Sequence, residues 1–239
     1  MGAVDTAPGY GDSELMIGMS GIGTPVHSKL SPETAPSVSV SRSLQRIRRD
    51  RLEVVQLHDP GLLEHDPHGV IDASVDLVGR TIGALGVSIY TADDFDRATT
   101  DARISIVQLP FSVADQRLAD RLTGASSAGT VVVARSAFLQ GALLLEPKSL
   151  PDHLVALRSV IERVDHVAAG SGRTRYETLV VFVRDTPGVT NVVLGCETID
   201  QLEANVAAFA AAPLTAVERG VLEACAETEV TVVDPRLWP

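Results

Sequence analysis

Thr130-Val-Val-Val-Ala134 sets four β-branched residues in succession, and Ile104-Ser-Ile-Val-Gln108 has the same look. Such residues favour extended backbone. A strand that is apolar at consecutive positions must be covered on both faces, which is the habit of parallel strands flanked by helices. Similar short runs recur over 2–6, 24–29, 52–58, 83–88 and 191–194, so the pattern predicts seven strands. Longer amphipathic stretches lie between them, over 12–20, 31–50, 69–81, 92–99, 115–123, a pair within 151–185, and 198–211. Their alternation with the strands is α/β punctuation. Ser31-Pro32-Glu33 reads as a helix start, with a capping side chain and a proline in the first turn.

Two architectures fit parallel strands with intervening helices. An open doubly wound sheet that seats a dinucleotide needs a glycine-rich turn after an early strand. No G-x-G-x-x-G stands there, because Gly18 and Gly21-Ile-Gly23 precede a strand and read as a helix end and loop. A TIM-type (β/α)8 barrel is the expected fold, with about seven parallel strands visible. The chain reads as a single domain over 1–239, without internal repeat or interdomain linker. Gly170-Ser-Gly-Arg173 is long enough only to join two helices.

Composition narrows the function. A formal charge of −11 on 239 residues repels phosphate backbones and anionic membranes, so neither nucleic acid nor a membrane is an expected partner. Cys196 and Cys225, the two cysteines, have no metal-ligand spacing around them and form no disulfide framework. His65 and His68 flank Asp66-Pro67 in a polar turn that reads as a solvated loop, and no metal site is expected. No run approaches bilayer length and no basic-then-apolar leader opens the sequence, so a cytoplasmic protein is the expectation.

Four polar side chains stand at or just past the ends of early apolar runs: Asp5, Tyr10, Lys29 and His58. The ends of parallel barrel strands converge on one mouth, which would bring a carboxylate, a phenol, an ammonium and an imidazole into one pocket. That set suits proton transfer to a carbonyl oxygen. Taken singly, Asp5 also reads as a strand-end cap, Lys29 as a solvated charge, and His58 as an imidazole before an Asp-Pro turn.

Asp5-Thr-Ala-Pro-Gly-Tyr10-Gly-Asp-Ser-Glu14 resembles the second-strand signature of the aldo-keto reductases. Ser43-Leu-Gln-Arg-Ile-Arg-Arg-Asp50, Val54-Val-Gln-Leu-His58, Gly86-Val-Ser88, Val107-Gln108, Arg135-Ser136-Ala-Phe-Leu-Gln-Gly141, Gly195-Cys-Glu-Thr-Ile-Asp-Gln201-Leu-Glu-Ala-Asn205 and the closing Asp234-Pro-Arg-Leu-Trp238 resemble later segments of that family, in order. The resemblance implies a (β/α)8 barrel that binds a nicotinamide cofactor in an extended pose and reduces an aldehyde, ketone or sugar. It implies Tyr10 as general acid, Lys29 as the ammonium that strengthens that acid, Asp5 as the partner of Lys29, and His58 as a donor to the substrate oxygen. Ser88 and Gln108 would hold the carboxamide and Ser136 the pyrophosphate. Gln201 and Asn205, one helical turn apart, would meet the adenosine beside Gly195. Arg135 stands where many members stack a tyrosine, and a guanidinium plane can stack as well. Glu197 stands where an arginine often meets a 2′-phosphate, so the resemblance leaves NADPH and NADH both open.

Family barrels run through a strand and a helix before the Asp-Thr-Ala segment, which here begins at the fifth residue. The barrel is therefore expected to be incomplete at the N-terminus, exposing edges that favour a homodimer or internal closure. The apolar Val230-Thr-Val-Val233 is a candidate cover. Loss of that unit would remove part of the nicotinamide pocket. Two other readings follow: a lyase, dehydratase or isomerase that uses the same four residues without a cofactor, and a catalytically silent barrel that binds a partner.

Overall fold

The computed structural model describes residues 2–32, 34–227 and 229–239. Seven strands form among them: β1 (Val4–Asp5), β2 (Val26–Lys29), β3 (Leu52–Leu57), β4 (Ile82–Ser88), β5 (Ile106–Pro110), β6 (Val131–Arg135) and β7 (Asn191–Val192). The helices are α1 (Ser13–Ser20), α2 (Pro36–Ile47), α3 (Val70–Val75), α4 (Ala92–Thr100), α5 (Ala119–Ser127), α6 (Leu157–Ser171), α7 (Arg175–Arg184), α8 (Ile199–Ala210), α9 (Ala216–Glu223) and α10 (Val230–Val233). Each strand overlaps the apolar run that predicts it. No helix among the described residues is long and apolar enough to cross a membrane.

The chain divides into two compact units, Met1–Gln108 with Gly129–Val131, and Leu109–Ala128 with Val132–Pro239. In the first, β1 to β5 pair in sequence order, all parallel. Pleating sends alternate side chains to opposite faces. Val55, Leu57, Leu85, Val87 and Val107 point one way and are buried, as are Val40 and Ile47 of α2, Ile71 of α3 and Phe95 of α4. The other face carries Asp5, Lys29, Gln56, Gly86, Ser88 and Gln108, as their register shows. The burial of most residues of β2 to β5 explains the apolar runs that polar residues interrupt at only a few positions.

Helix α1 lies close against the end of α2 because Gly18 has no side chain. A Cβ there would fall 2.2 Å from the Arg46 carbonyl oxygen. This glycine sits within α1, not at its end, and Gly21 closes the helix instead.

Three helix limits differ from the sequence pattern. Helix α2 begins at Pro36, not at Ser31. The Ser31 amide donates to Ser39 Oγ at 2.9 Å, and the proline at 36 keeps Ala35 extended, so Ser31 and Ala35 stay outside the helix. Glu33, part of the predicted cap, lies outside the described residues. Helix α3 ends at Val75, where tight turns over 76–81 feed β4. Helix α5 starts at Ala119 because Asp115 is taken up in a turn with Ser112 and an ion pair with Arg117.

In the second unit β6 and β7 pair in parallel, Val133 opposite Asn191 and Ala134 opposite Val192. Helices α6 and α7 supply buried Leu157, Ile161, Val164, Leu179 and Val181. Helix α9 carries a start signal in its sequence, where Thr215 and Glu218 form a reciprocal capping box. The apolar tail is the helical turn α10, whose Val232 and Val233 are buried within this unit.

Candidate functional site

In the first unit, Asp5 ends β1 and Lys29 ends β2. Their register places both on the same face. Lys29 Nζ donates to Asp5 Oδ2 at 2.7 Å and to the Thr6 carbonyl oxygen at 3.1 Å. The lysine side chain is 2% exposed and that of Asp5 15%, so the pair is largely out of water. Gln108 Nε2 reaches the other carboxylate oxygen at 3.1 Å. Asp5 is thus held from both sides, a link between β1 and β5 that nothing in the local sequence signals.

Tyr10 lies in the turn after β1, and its amide donates to the Ala7 carbonyl. The ammonium of Lys29 lies 5.1 Å from the centroid of its ring, and the phenol is 51% exposed. No hydrogen bond joins Lys29 Nζ to the Tyr10 hydroxyl among the described residues. The turn is braced from beneath. Arg46 donates to the Gly11 carbonyl at 2.7 Å and lies 3.4 Å from Glu14, whose buried carboxylate accepts from Ser28 Oγ at 2.8 Å. Glu14 and Arg46 are therefore structural supports of the Tyr10 turn.

His58 follows β3 directly and is exposed. The next residue, Asp59, accepts from the Gly61 amide at 2.8 Å and starts a short helical turn. The position of His58 continues the parity of Gln56, the register partner of Lys29. His27, the register partner of Asp5, was not singled out by sequence. Burial pushes the His27 imidazole below its ordinary pKa, although Asp5 and Glu53 pull the other way. Ser88 closes β4, buried, in register with Gln108.

His65 and His68 flank a helix start. Asp66 accepts the amides of Val70 and Ile71, each at 2.8 Å. Burial would raise its carboxyl, but these amides outweigh that and hold it below the usual carboxylate range. No cluster that could hold a metal occurs among the described residues.

The second unit carries the other candidates. Arg135 ends β6 and donates to Ser136 Oγ at 3.2 Å. Ser136 has φ of 64°, which turns the chain sharply out of the strand. The Gln201 side chain accepts from the Glu197 amide at 2.6 Å, and Asn205 donates to the Gly195 carbonyl at 3.2 Å. Both residues of α8 thus shape the 195–197 loop. Asn205 is buried, and its other amide atom accepts from the Tyr176 hydroxyl. Tyr176 also stacks on Phe138 with centroids 4.5 Å apart, and burial raises its pKa. Sequence reading missed this support because Tyr176 and Asn205 are 29 residues apart.

Ser88 and Gln108 offer the hydroxyl and amide that a carboxamide needs, and Arg135 with Ser136 offers donors to an anion. The N-terminus of α8, where Thr198 caps the Gln201 amide, adds partial positive charge.

The Aldo/keto reductase family model matches residues 1–227. Among solved structures, an aldo-keto reductase from Bacillus halodurans, known in apo and holo forms, has 23% identity and a TM-score of 0.80, covering 100% of this chain and 85% of its own. The glycerol dehydrogenase of Gluconobacter oxydans has 20% identity and a TM-score of 0.75, covering 98% of this chain and 82% of its own. These likenesses show the barrel fold. No curated protein sequence matches significantly.

Proposed function

This chain belongs to the Aldo/keto reductase family, and from that membership we propose that it reduces a small aldehyde, ketone or sugar carbonyl, with Tyr10 as the proton donor. The observation that carries this reading is the buried Lys29–Asp5 pair, 2.7 Å long, with its ammonium 5.1 Å from the Tyr10 ring.

A nicotinamide whose carboxamide is held by Ser88 and Gln108 would supply the hydride equivalent to the carbonyl carbon. The residues of this chain handle the oxygen. The Tyr10 hydroxyl donates its proton to that oxygen, leaving a phenolate that regains a proton from solvent, to which this half-exposed residue is open. Lys29 stabilises the phenolate by its charge, since an opposite charge nearby favours the ionised form. Asp5 keeps Lys29 charged and oriented, and Gln108 keeps Asp5 in place. His58, one residue beyond β3, donates to the carbonyl oxygen and offsets the charge that builds there.

Glu197 favours NADH. Its carboxylate, in the exposed loop held by Gln201 and Asn205, would repel a 2′-phosphate. Fluorescence titration with NADH and NADPH, followed by turnover of an aldehyde and ketone panel, tests the reading. Saturable binding of at least one nucleotide with carbonyl-dependent oxidation is expected. Absence of binding to both would overturn it in favour of cofactor-free chemistry.

A further inference from the structure

Gln56 of β3 is fully buried at 0% exposure, yet neither its amide oxygen nor its amide nitrogen has a hydrogen-bond partner among the described residues. Native interiors rarely leave such groups unpaired, and each one calls for an explanation. The flanking Val55 and Leu57 show that this strand takes apolar residues readily. Gln56 is in register with Lys29 on one side and with Gly86 on the other, so its side chain shares the face of the Asp5–Lys29 pair. Gly86 leaves room for it. A Cβ there would fall 3.3 Å from Gln56 Cγ and 2.8 Å from the Ile106 carbonyl oxygen.

The neighbouring ammonium has a donor to spare. An ammonium carries three N–H groups, and Lys29 gives two of them, to Asp5 and to the Thr6 carbonyl. The unpaired acceptor of Gln56 lies one strand away in the same layer. The other titratable groups about this ammonium are Asp5 and His27 on the neighbouring register pair, Tyr10 in the turn after β1, and His58 beyond β3.

We propose that Gln56 is a positioning residue for Lys29: its amide oxygen takes up the third N–H of the ammonium through one enclosed water. An interior water typically makes two to four hydrogen bonds to otherwise unsatisfied groups, and the amide with the ammonium provides them. A neutral acceptor on a buried cation favours the charged form. Gln56 thereby helps to keep Lys29 charged without touching substrate. The inference bears on catalysis only if the function proposed above holds.

The chain has two lysines, Lys29 and the exposed Lys148. Labelling lysine Cε with 13C in the full chain therefore gives one reporter and one internal reference. Gln56→Leu, apolar and similar in size, is expected to lower the pH at which the Lys29 resonance titrates by about one pH unit, with Lys148 unmoved. Gln56→Glu puts a charged acceptor in place of the amide and is expected to raise that midpoint above the parent value. An unchanged Lys29 midpoint in a folded Gln56→Leu protein would overturn the proposal. Should that variant fail to fold, Gln56→Glu against the parent decides: a rise supports the link and an equal midpoint ends it. Should Gln56→Leu move Lys29 while Tyr10→Phe leaves turnover intact, the positioning role stands and the proposed proton donor falls.

Discussion

Lys29 and Asp5 meet at 2.7 Å, but they are not equally committed to the interior. The ammonium side chain is 2% exposed, whereas the carboxylate is 15% exposed and holds a second donor in Gln108. Removing either partner therefore leaves a different remainder. Asp5→Leu strands a buried cation on one backbone carbonyl, and breaking a buried pair in this way costs roughly 3–5 kcal/mol. Lys29→Met leaves a carboxylate with Gln108 and some water, so it should lose clearly less. Urea midpoints of the two variants check the order. A reversal would mean that the deeper charge is not the lysine.

Tyr10→Phe deletes one hydroxyl from a residue that is half exposed. Stability should stay within about 0.5 kcal/mol of the parent. Turnover of a carbonyl substrate should fall by roughly 10²–10⁴ if the phenol is the acid, with nucleotide affinity little changed. Single-turnover rates decide the matter, and a rate equal to the parent would remove Tyr10 from the mechanism.

Acid stability should respond to His27. Burial, the largest influence, holds its pKa below 6.5 in the folded chain. A lowered folded value means that the unfolded state binds the extra proton first. The stability contribution is complete above pH 6.5 and is lost as pH falls through the folded value. Asp101 and Asp234, held down chiefly by side-chain bonds from Arg103 and Arg236, lose their contributions only below 3.8. His27→Gln should flatten the upper part of the acid-unfolding curve and leave the lower part in place. A curve unchanged above pH 4.5 would show that His27 is not the group responsible.

Gly18→Ala should carry the opposite sign to helix propensity. Alanine in a helix interior is ordinarily favoured over glycine by about 0.5–1 kcal/mol. Here the added Cβ meets the Arg46 carbonyl at 2.2 Å, and because that obstacle is backbone, α1 or α2 must shift. Overpacking of this kind costs about 1–3 kcal/mol. Thermal unfolding will read a loss, and a gain would show that the two helices separate freely.

Glu197→Arg should improve NADPH binding relative to NADH. Replacing an exposed carboxylate by a guanidinium near a phosphate changes the interaction by about 1 kcal/mol in screened water, so the ratio of dissociation constants should move by roughly fivefold. The same ratio in parent and variant would place the 2′-phosphate away from this loop.

Much of the architecture was legible because the inner strands are largely buried, which writes mostly apolar runs into the local sequence, as at Leu52–Leu57 and Val131–Arg135. The same directness made Asp5, Lys29 and His58 visible, since a polar residue at the end of such a run stands out. Helix limits were less legible. Ser31-Pro32 and Pro36 offer competing starts, and the choice between them depends on where the Ser31 amide finds Ser39. Only the tertiary structure decided the contacts between distant segments: Gln108 with Asp5, 103 residues apart, and Tyr176 with Asn205, 29 apart. The unpaired amide of Gln56 belongs with these. Within its own strand Gln56 is one polar residue among apolar ones, and its place beside Lys29 follows from the register of two strands, set by pleat alternation and side-chain packing across the sheet.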